Sequence, residues 1–319
     1  MTRLTRRSFL KTSAAGAALA TLPLSGTVLA RQDKSTVKVG SKNYAEQLIV
    51  GEMLALLLED AGFATERQMN LGGTIIAHEA LVSGDLDTYV EYSGTGLIAV
   101  LGEELPGDAA TPSATPDSGT MYDPAYEIVA KEYPEQFNVR WLEPWGFNNT
   151  FAIIVTREFS EENDVTKVSD LADMAGDMTF AADAEFAVRP DGLPGLEDAY
   201  GFSFKNVTNV EIGLLYPSVA DGSVDAAVAA STDGRIPALD LVVLEDDLGF
   251  FPPYNAAPIV RLDLLEQAPE IEDIFNRVAG KISNERMQAM NYDVDEEGKE
   301  PIDVARDFLE TEGLIGGEQ

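Results

Sequence analysis

No cysteine occurs in the 319 residues, which excludes disulfides, thiol catalysis and thiolate metal sites. A lipid-anchored exported protein needs a cysteine just after its leader, so that form of anchoring is not expected. Histidine is reduced to His78, too few for a multi-histidine metal centre. Basic residues are also scarce, 22 against 55 acidic ones, for a formal charge of −33. Four of the 22 (Arg3, Arg6, Arg7 and Lys11) fall in the first 30 residues, where no acid occurs, so the remainder is more acidic still. Such a surface repels phosphate backbones, and no nucleic-acid partner is expected. Two nucleotide signatures are missing as well: no G-x-G-x-x-G follows the first strand, and there is no Walker lysine motif.

What is present begins with Thr5-Arg6-Arg7-Ser8-Phe9-Leu10-Lys11, a twin-arginine export pattern, followed by an apolar, small-residue stretch to about Ala30. Gly16, Pro23 and Gly26 interrupt that stretch and argue against a stable membrane-spanning helix. Residues 1–30 therefore read as a signal peptide with cleavage near Leu29-Ala30, and the working compartment lies outside the cytoplasmic membrane.

Beyond the leader the chain alternates. Strand-like segments at Val37–Ser41, Ala64–Met69 and Asp85–Tyr92 are separated by a helix over Ala45–Asp60, with Gly62 at its cap, and by another opened by Gly72-Gly73-Thr74. This order implies an open, mostly parallel sheet. Residues 102–119, rich in Pro, Thr, Ser, Ala and Gly, read as a flexible insertion. A helix around Asp123–Glu132 and a strand around Asn138–Leu142 follow. A second α/β unit opens at Phe151–Val155, with strands near Met178–Ala182 and Val224–Ala229, a helix near Leu193–Tyr200, and a last strand at Pro258–Leu262. The turns Gly72-Gly73-Thr74 and Gly94-Thr95-Gly96 end strands and begin helices, so their backbone N–H groups point toward whatever binds beyond the strand ends.

More specific are Gly40–Gln47, Asn70–Thr74, Glu91–Thr95, Gly146–Ala152, Arg189–Gly192, Ser231–Ile236 and Phe251–Tyr254. Together and in this order they resemble the glycine betaine/choline/carnitine substrate-binding proteins of osmoprotectant ABC importers, over most of the chain after the leader. The resemblance implies a two-lobed α/β fold of the periplasmic-binding-protein type (type II), with a small ligand between the lobes. One lobe would comprise 37–147 plus 256–319 and the other 148–255, joined near Gly146–Asn149 and Pro252–Asn255. It also implies a non-catalytic monomer with no cofactor, whose partners are a small zwitterionic or quaternary-amine ligand and an ABC permease.

A quaternary ammonium carries no hydrogen-bond donor on its nitrogen and is best held by aromatic faces, whereas a carboxylate suits an arginine fork. Carried over from the family, the box positions are Tyr92, Phe151, Ala230 and Tyr254, and the polar positions are Lys42, Thr95 and Arg189. Gln47, Asn149 and Glu185 are expected at the rim. Arg189→Ala is expected to weaken a carboxylate ligand and leave the fold intact. Two positions depart from the family pattern: Phe151 replaces a tyrosine, and Ala230 replaces an aromatic wall. The second leaves either an opening for a bulkier ligand or a gap for Tyr216 or Phe186 to fill. A different ligand class (an amino acid, an ectoine-like solute or an aromatic amine) and an exported enzyme or sensor on the same scaffold remain the alternatives.

Overall fold

The protein, as a computed structural model, is described over residues 36–104 and 123–316. The export signal over 1–30, and all but the first three residues of the insertion 102–119, lie outside the described residues. The described strands are β1 (Val37–Gly40), β2 (Thr65–Gln68), β3 (Thr88–Tyr92), β4 (Val139–Trp141), β5 (Phe151–Thr156), β6 (Thr179–Ala182), β7 (Asn206–Asn209), β8 (Ala226–Ala230), β9 (Leu241–Leu244) and β10 (Ala256–Arg261). They form two five-stranded sheets, ordered β2-β1-β3-β10-β4 and β7-β6-β8-β5-β9, one in each lobe of a two-lobed α/β fold.

Neither sheet is mostly parallel, contrary to the reading of the alternation. In the first, β1 pairs parallel with β2 and β3, but β10 runs antiparallel to β3 and β4. In the second, β6 pairs parallel with β7 and β8, but β5 runs antiparallel to β8 and β9. The cause is topological. Both β5 and β10 start where the chain crosses from one sheet to the other, so each enters its sheet against the direction set by the βαβ units.

At the crossing the two segments lie side by side. Asn148 and Asn255 form an antiparallel bridge, Asn149 N donates to Tyr254 O at 3.1 Å, and Ala256 N donates to Phe147 O at 3.2 Å. Buried side chains pin this ribbon: Ser93 Oγ and Asn255 Nδ2 both donate to the Asp123 carboxylate, at 2.5 and 2.7 Å. The ribbon is thus tied to the end of β3, where Tyr92 stands.

The helix Ala45–Asp60 forms as its sequence predicts, with Gly62 just beyond its end at φ 84°, a conformation glycine adopts without strain. It is apolar on most sides because it packs against β1 and β3 and also against the helices Glu270–Asn276, Asn284–Asp295 and Pro301–Thr311. In the second lobe the helix Ile212–Ala220 runs through Pro217. Proline has no N–H to offer the carbonyl of Gly213, and that oxygen accepts from Arg235 Nη1 instead, at 3.3 Å. His78, which the sequence marks as a plain structural residue, is buried edge-on against Tyr133 and Phe137, and burial lowers its pKa.

Candidate ligand-binding site

A cavity of about 110 Å³ opens where the carboxyl ends of β1, β3, β6 and β8 meet the crossing ribbon. Rings from both sides line it: Tyr44 and Tyr92 from the first lobe, Phe151 and Tyr216 from the second, and Tyr254 from the ribbon. Phe151 meets Tyr254 edge-on at 5.3 Å, and Phe186 stands behind Phe151 at 5.0 Å. Gly94 makes room for this box. A Cβ there would lie 2.8 Å from the Pro253 carbonyl and 2.9 Å from the Tyr254 ring, closer than any side chain tolerates.

The polar wall carries two cations, each already paired. Lys42 Nζ donates to Glu91 Oε1 at 2.5 Å and to Thr74 Oγ1 at 3.1 Å, 5.1 Å from the Tyr92 ring centroid. The Arg189 guanidinium grips both oxygens of Asp191, donates to Glu185 Oε1 at 2.9 Å and reaches Thr95 Oγ1 of the other lobe at 3.3 Å. It also lies 5.3 Å from the Phe151 centroid. Burial opposes the Arg189 charge, but its bonds to Asp191 outweigh burial and hold the pKa above the ordinary arginine value. Tyr254 donates its hydroxyl to Asp191 at 2.7 Å, so one carboxylate fixes both the fork and an aromatic face. Burial keeps the Tyr92 and Tyr254 phenols well above their usual pKa, so both remain neutral donors.

Glu185 spans the cleft. Its Oε2 accepts from the backbone N–H of Thr74 at 3.4 Å, at the first turn of the helix Thr74–Ser83. A Cβ on Gly73 would come within 2.8 Å of the same oxygen, so the glycine permits this approach. Partial burial opposes the Glu185 charge; Lys42 and Arg189 outweigh it and keep the carboxyl below its ordinary range.

Of the residues singled out in the sequence, Lys42, Tyr92, Thr95, Asn149, Phe151, Glu185, Arg189, Ala230 and Tyr254 all line this cavity. Gln47 does not. It is buried behind the box, donating to Val90 O at 2.9 Å and Tyr92 Oη at 3.1 Å, and so holds the tyrosine in place. At Ala230 the gap is bordered by Tyr216, whose hydroxyl accepts from Ala230 N at 3.0 Å and whose ring lies under Arg235 at 4.3 Å. Beyond Ala230 lies a second space of about 260 Å³, bounded by Glu46, Thr232, Asp233, Asn291 and Asp295.

Sequence reasoning missed Tyr44, Thr74 and Asp183 on the cavity wall, and Glu46 next to it. Tyr44, Glu46 and Thr74 sit inside the motifs quoted above. Asp183 follows directly on β6, at the strand end where an open sheet presents its ligand groups. Burial raises the Asp183 carboxyl, although it accepts from the N–H groups of Glu185 and Phe186.

A two-lobed α/β body with an aromatic and charged cavity at its crossover defines the substrate-binding class of transport protein. The chain belongs to the family described as the substrate binding domain of ABC-type glycine betaine transport systems, whose model matches residues 35–311. A twin-arginine translocation signal matches residues 3–23, which makes it an exported protein. It is 35% identical to the carnitine transport binding protein of Listeria monocytogenes over 292 residues, 91% of each chain. With the glycine-betaine-binding protein of Pseudomonas aeruginosa it shares 34% identity, covering 88% of this chain and 89% of that one. A crystal structure of a glycine betaine/carnitine/choline ABC transporter protein superposes with a TM-score of 0.70 at 35% identity, covering 88% of this chain and all of the other. Like its family it is a binding protein and not an enzyme.

Proposed function

We propose that this exported protein captures a small quaternary-ammonium osmoprotectant between its lobes and delivers it to an ABC permease. The observation that carries the reading is the ring set of Tyr44, Tyr92, Phe151, Tyr216 and Tyr254 around one small cavity. Aromatic faces attract a desolvated cation that offers no donor on its nitrogen, and a cavity shared by two lobes lets the ligand favour the closed arrangement. In this reading Tyr92, Phe151 and Tyr254 hold the ammonium with Tyr216 in place of the missing wall at Ala230. Lys42, Thr95, Arg189, Asn149 and Glu185 surround the ligand's polar end, and Gln47 acts through Tyr92. The lobes comprise 37–147 plus 256–319 and 148–255, and the protein works as a monomer.

Isothermal titration calorimetry of the exported form against glycine betaine, choline and carnitine, with proline and ectoine as controls, tests the proposal. Saturable binding of a quaternary ammonium, and none of the controls, is expected. Binding of a control alone overturns it.

A further inference from the structure

Every cation on the cavity wall is already matched by carboxylates of the protein. Lys42 is paired with Glu91 at 2.5 Å. Arg189 is gripped by Asp191 and paired again with Glu185 at 2.9 Å. The set therefore carries two positive and three negative charges before any ligand arrives. Glu91 and Asp191 are fully engaged within the protein: Glu91 also accepts from Tyr89 Oη and Tyr92 N, and Asp191 from Tyr254 Oη.

Glu185 differs from these two. It is half-buried, and it sits where the Thr74 N–H, the Arg189 fork and the field of Lys42 converge. That convergence is what a ligand carboxylate would seek. The protein's own carboxylate occupies it, so a zwitterion must either displace Glu185 or bring its carboxylate against like charge. A ligand carrying only the positive charge meets the rings on one side and a surplus carboxylate on the other.

Resting on the quaternary-ammonium reading, we infer that Glu185 is a specificity-determining residue that makes this site prefer a carboxylate-free cation, of the choline class, over zwitterionic betaines. Removing its charge lets a ligand carboxylate compete for the Thr74 N–H and the Arg189 guanidinium without like-charge repulsion, and weakens the attraction for a bare cation.

The test is calorimetric titration of the exported protein and of Glu185→Gln with choline and with glycine betaine. The wild type is expected to bind choline at least about tenfold more tightly than glycine betaine, and Glu185→Gln to shift that ratio by about tenfold or more toward glycine betaine. Tighter binding of glycine betaine by the wild type overturns the inference while leaving the quaternary-ammonium reading intact. A ratio unchanged in a folded Glu185→Gln variant overturns the role of Glu185. Failure of the wild type to bind either compound overturns the inference, and failure to bind carnitine as well overturns the quaternary-ammonium reading. The wild-type comparison stands even where the variant does not fold.

Discussion

Glu46, in the first turn of the helix Ala45–Asp60, accepts a 2.5 Å hydrogen bond from the hydroxyl of Thr232 in the other lobe. The same carboxylate accepts from Tyr92 Oη at 2.6 Å, Asn149 Nδ2 at 2.7 Å and Asn291 Nδ2 at 2.9 Å. Burial pushes its pKa up, and these four neutral donors hold it partway back. One buried acid thus joins a box tyrosine, the crossing ribbon, the second lobe and the helix Asn284–Asp295. Glu46→Ala leaves four donors without their acceptor, and we expect it to cost about 2–4 kcal/mol in urea unfolding. It should also weaken ligand binding through the loosened Tyr92. Wild-type stability in this variant would contradict the account of the node.

Gly94 has the opposite kind of importance, since it matters for what it lacks. Gly94→Ala places a methyl group against the Tyr254 ring and the Pro253 carbonyl. The expected outcome is at least about a tenfold loss of affinity from a displaced aromatic face, with the far-ultraviolet circular dichroism spectrum unchanged. Unchanged affinity would show that Tyr254 does not form the box.

Arg189 carries more of the structure than its sequence context suggests. A purely ligand-binding arginine would let Arg189→Ala spare the fold, but Asp191 is buried and keeps only the Tyr254 hydroxyl once the guanidinium is gone. Breaking a buried pair on one side costs about 3–5 kcal/mol. We therefore expect a clearly lowered midpoint in chemical denaturation, partly restored by adding Asp191→Asn to the variant. A midpoint equal to wild type would contradict this.

Asp295 supplies a pH dependence. Burial pushes its carboxyl up to about 6, against the pull of Arg235 at 3.3 Å and helped by Asp233 and Glu296. At pH below the unfolded value of about 3.9, both states hold the proton. As pH rises toward the folded value, the unfolded chain releases its proton first, so stability falls across that window and stays lower above it. Asp295→Asn removes this loss. At pH 7 the variant is expected to be more stable than wild type by about 1 kcal/mol, a figure kept small because water reaches the group. The difference should vanish at pH 4. Parallel stability curves from pH 4 to 7 would contradict the assignment.

How much of this was legible beforehand depends on where the signal resides. The helix Ala45–Asp60 was readable to the residue, because helix formers run up to Gly62, and a helix near Leu193–Tyr200 was readable between Gly192 and Gly201, with Pro194 tolerated in its first turn. β7 was not, since Asn206–Asn209 is a polar, exposed edge with no apolar alternation to betray it. The helix Ile212–Ala220 was hidden by Pro217, whose cost is offset by a side chain, Arg235, distant in sequence. For the site, seven of the ten named residues sit both inside the quoted motifs and on the cavity wall, and Glu185 and Ala230, outside those motifs, line it too. The motifs could not show that Lys42 and Arg189 already have partners. Lys42 pairs with Glu91, 49 residues away, which local spacing does not reveal. Glu185 and Asp191 are close to Arg189 in sequence, but the spacing does not say that both side chains turn onto the guanidinium rather than into solvent.

The most direct test of the central claim, that the ring set reads a quaternary positive charge, compares choline with 3,3-dimethylbutan-1-ol, its uncharged isostere of nearly the same shape. Calorimetric titration of the exported protein should show choline binding at least about tenfold more tightly, because only the cation gains from the five aromatic rings that line the cavity. Equal affinity for the two compounds would mean that the cavity selects shape alone, and the account of the site would be wrong.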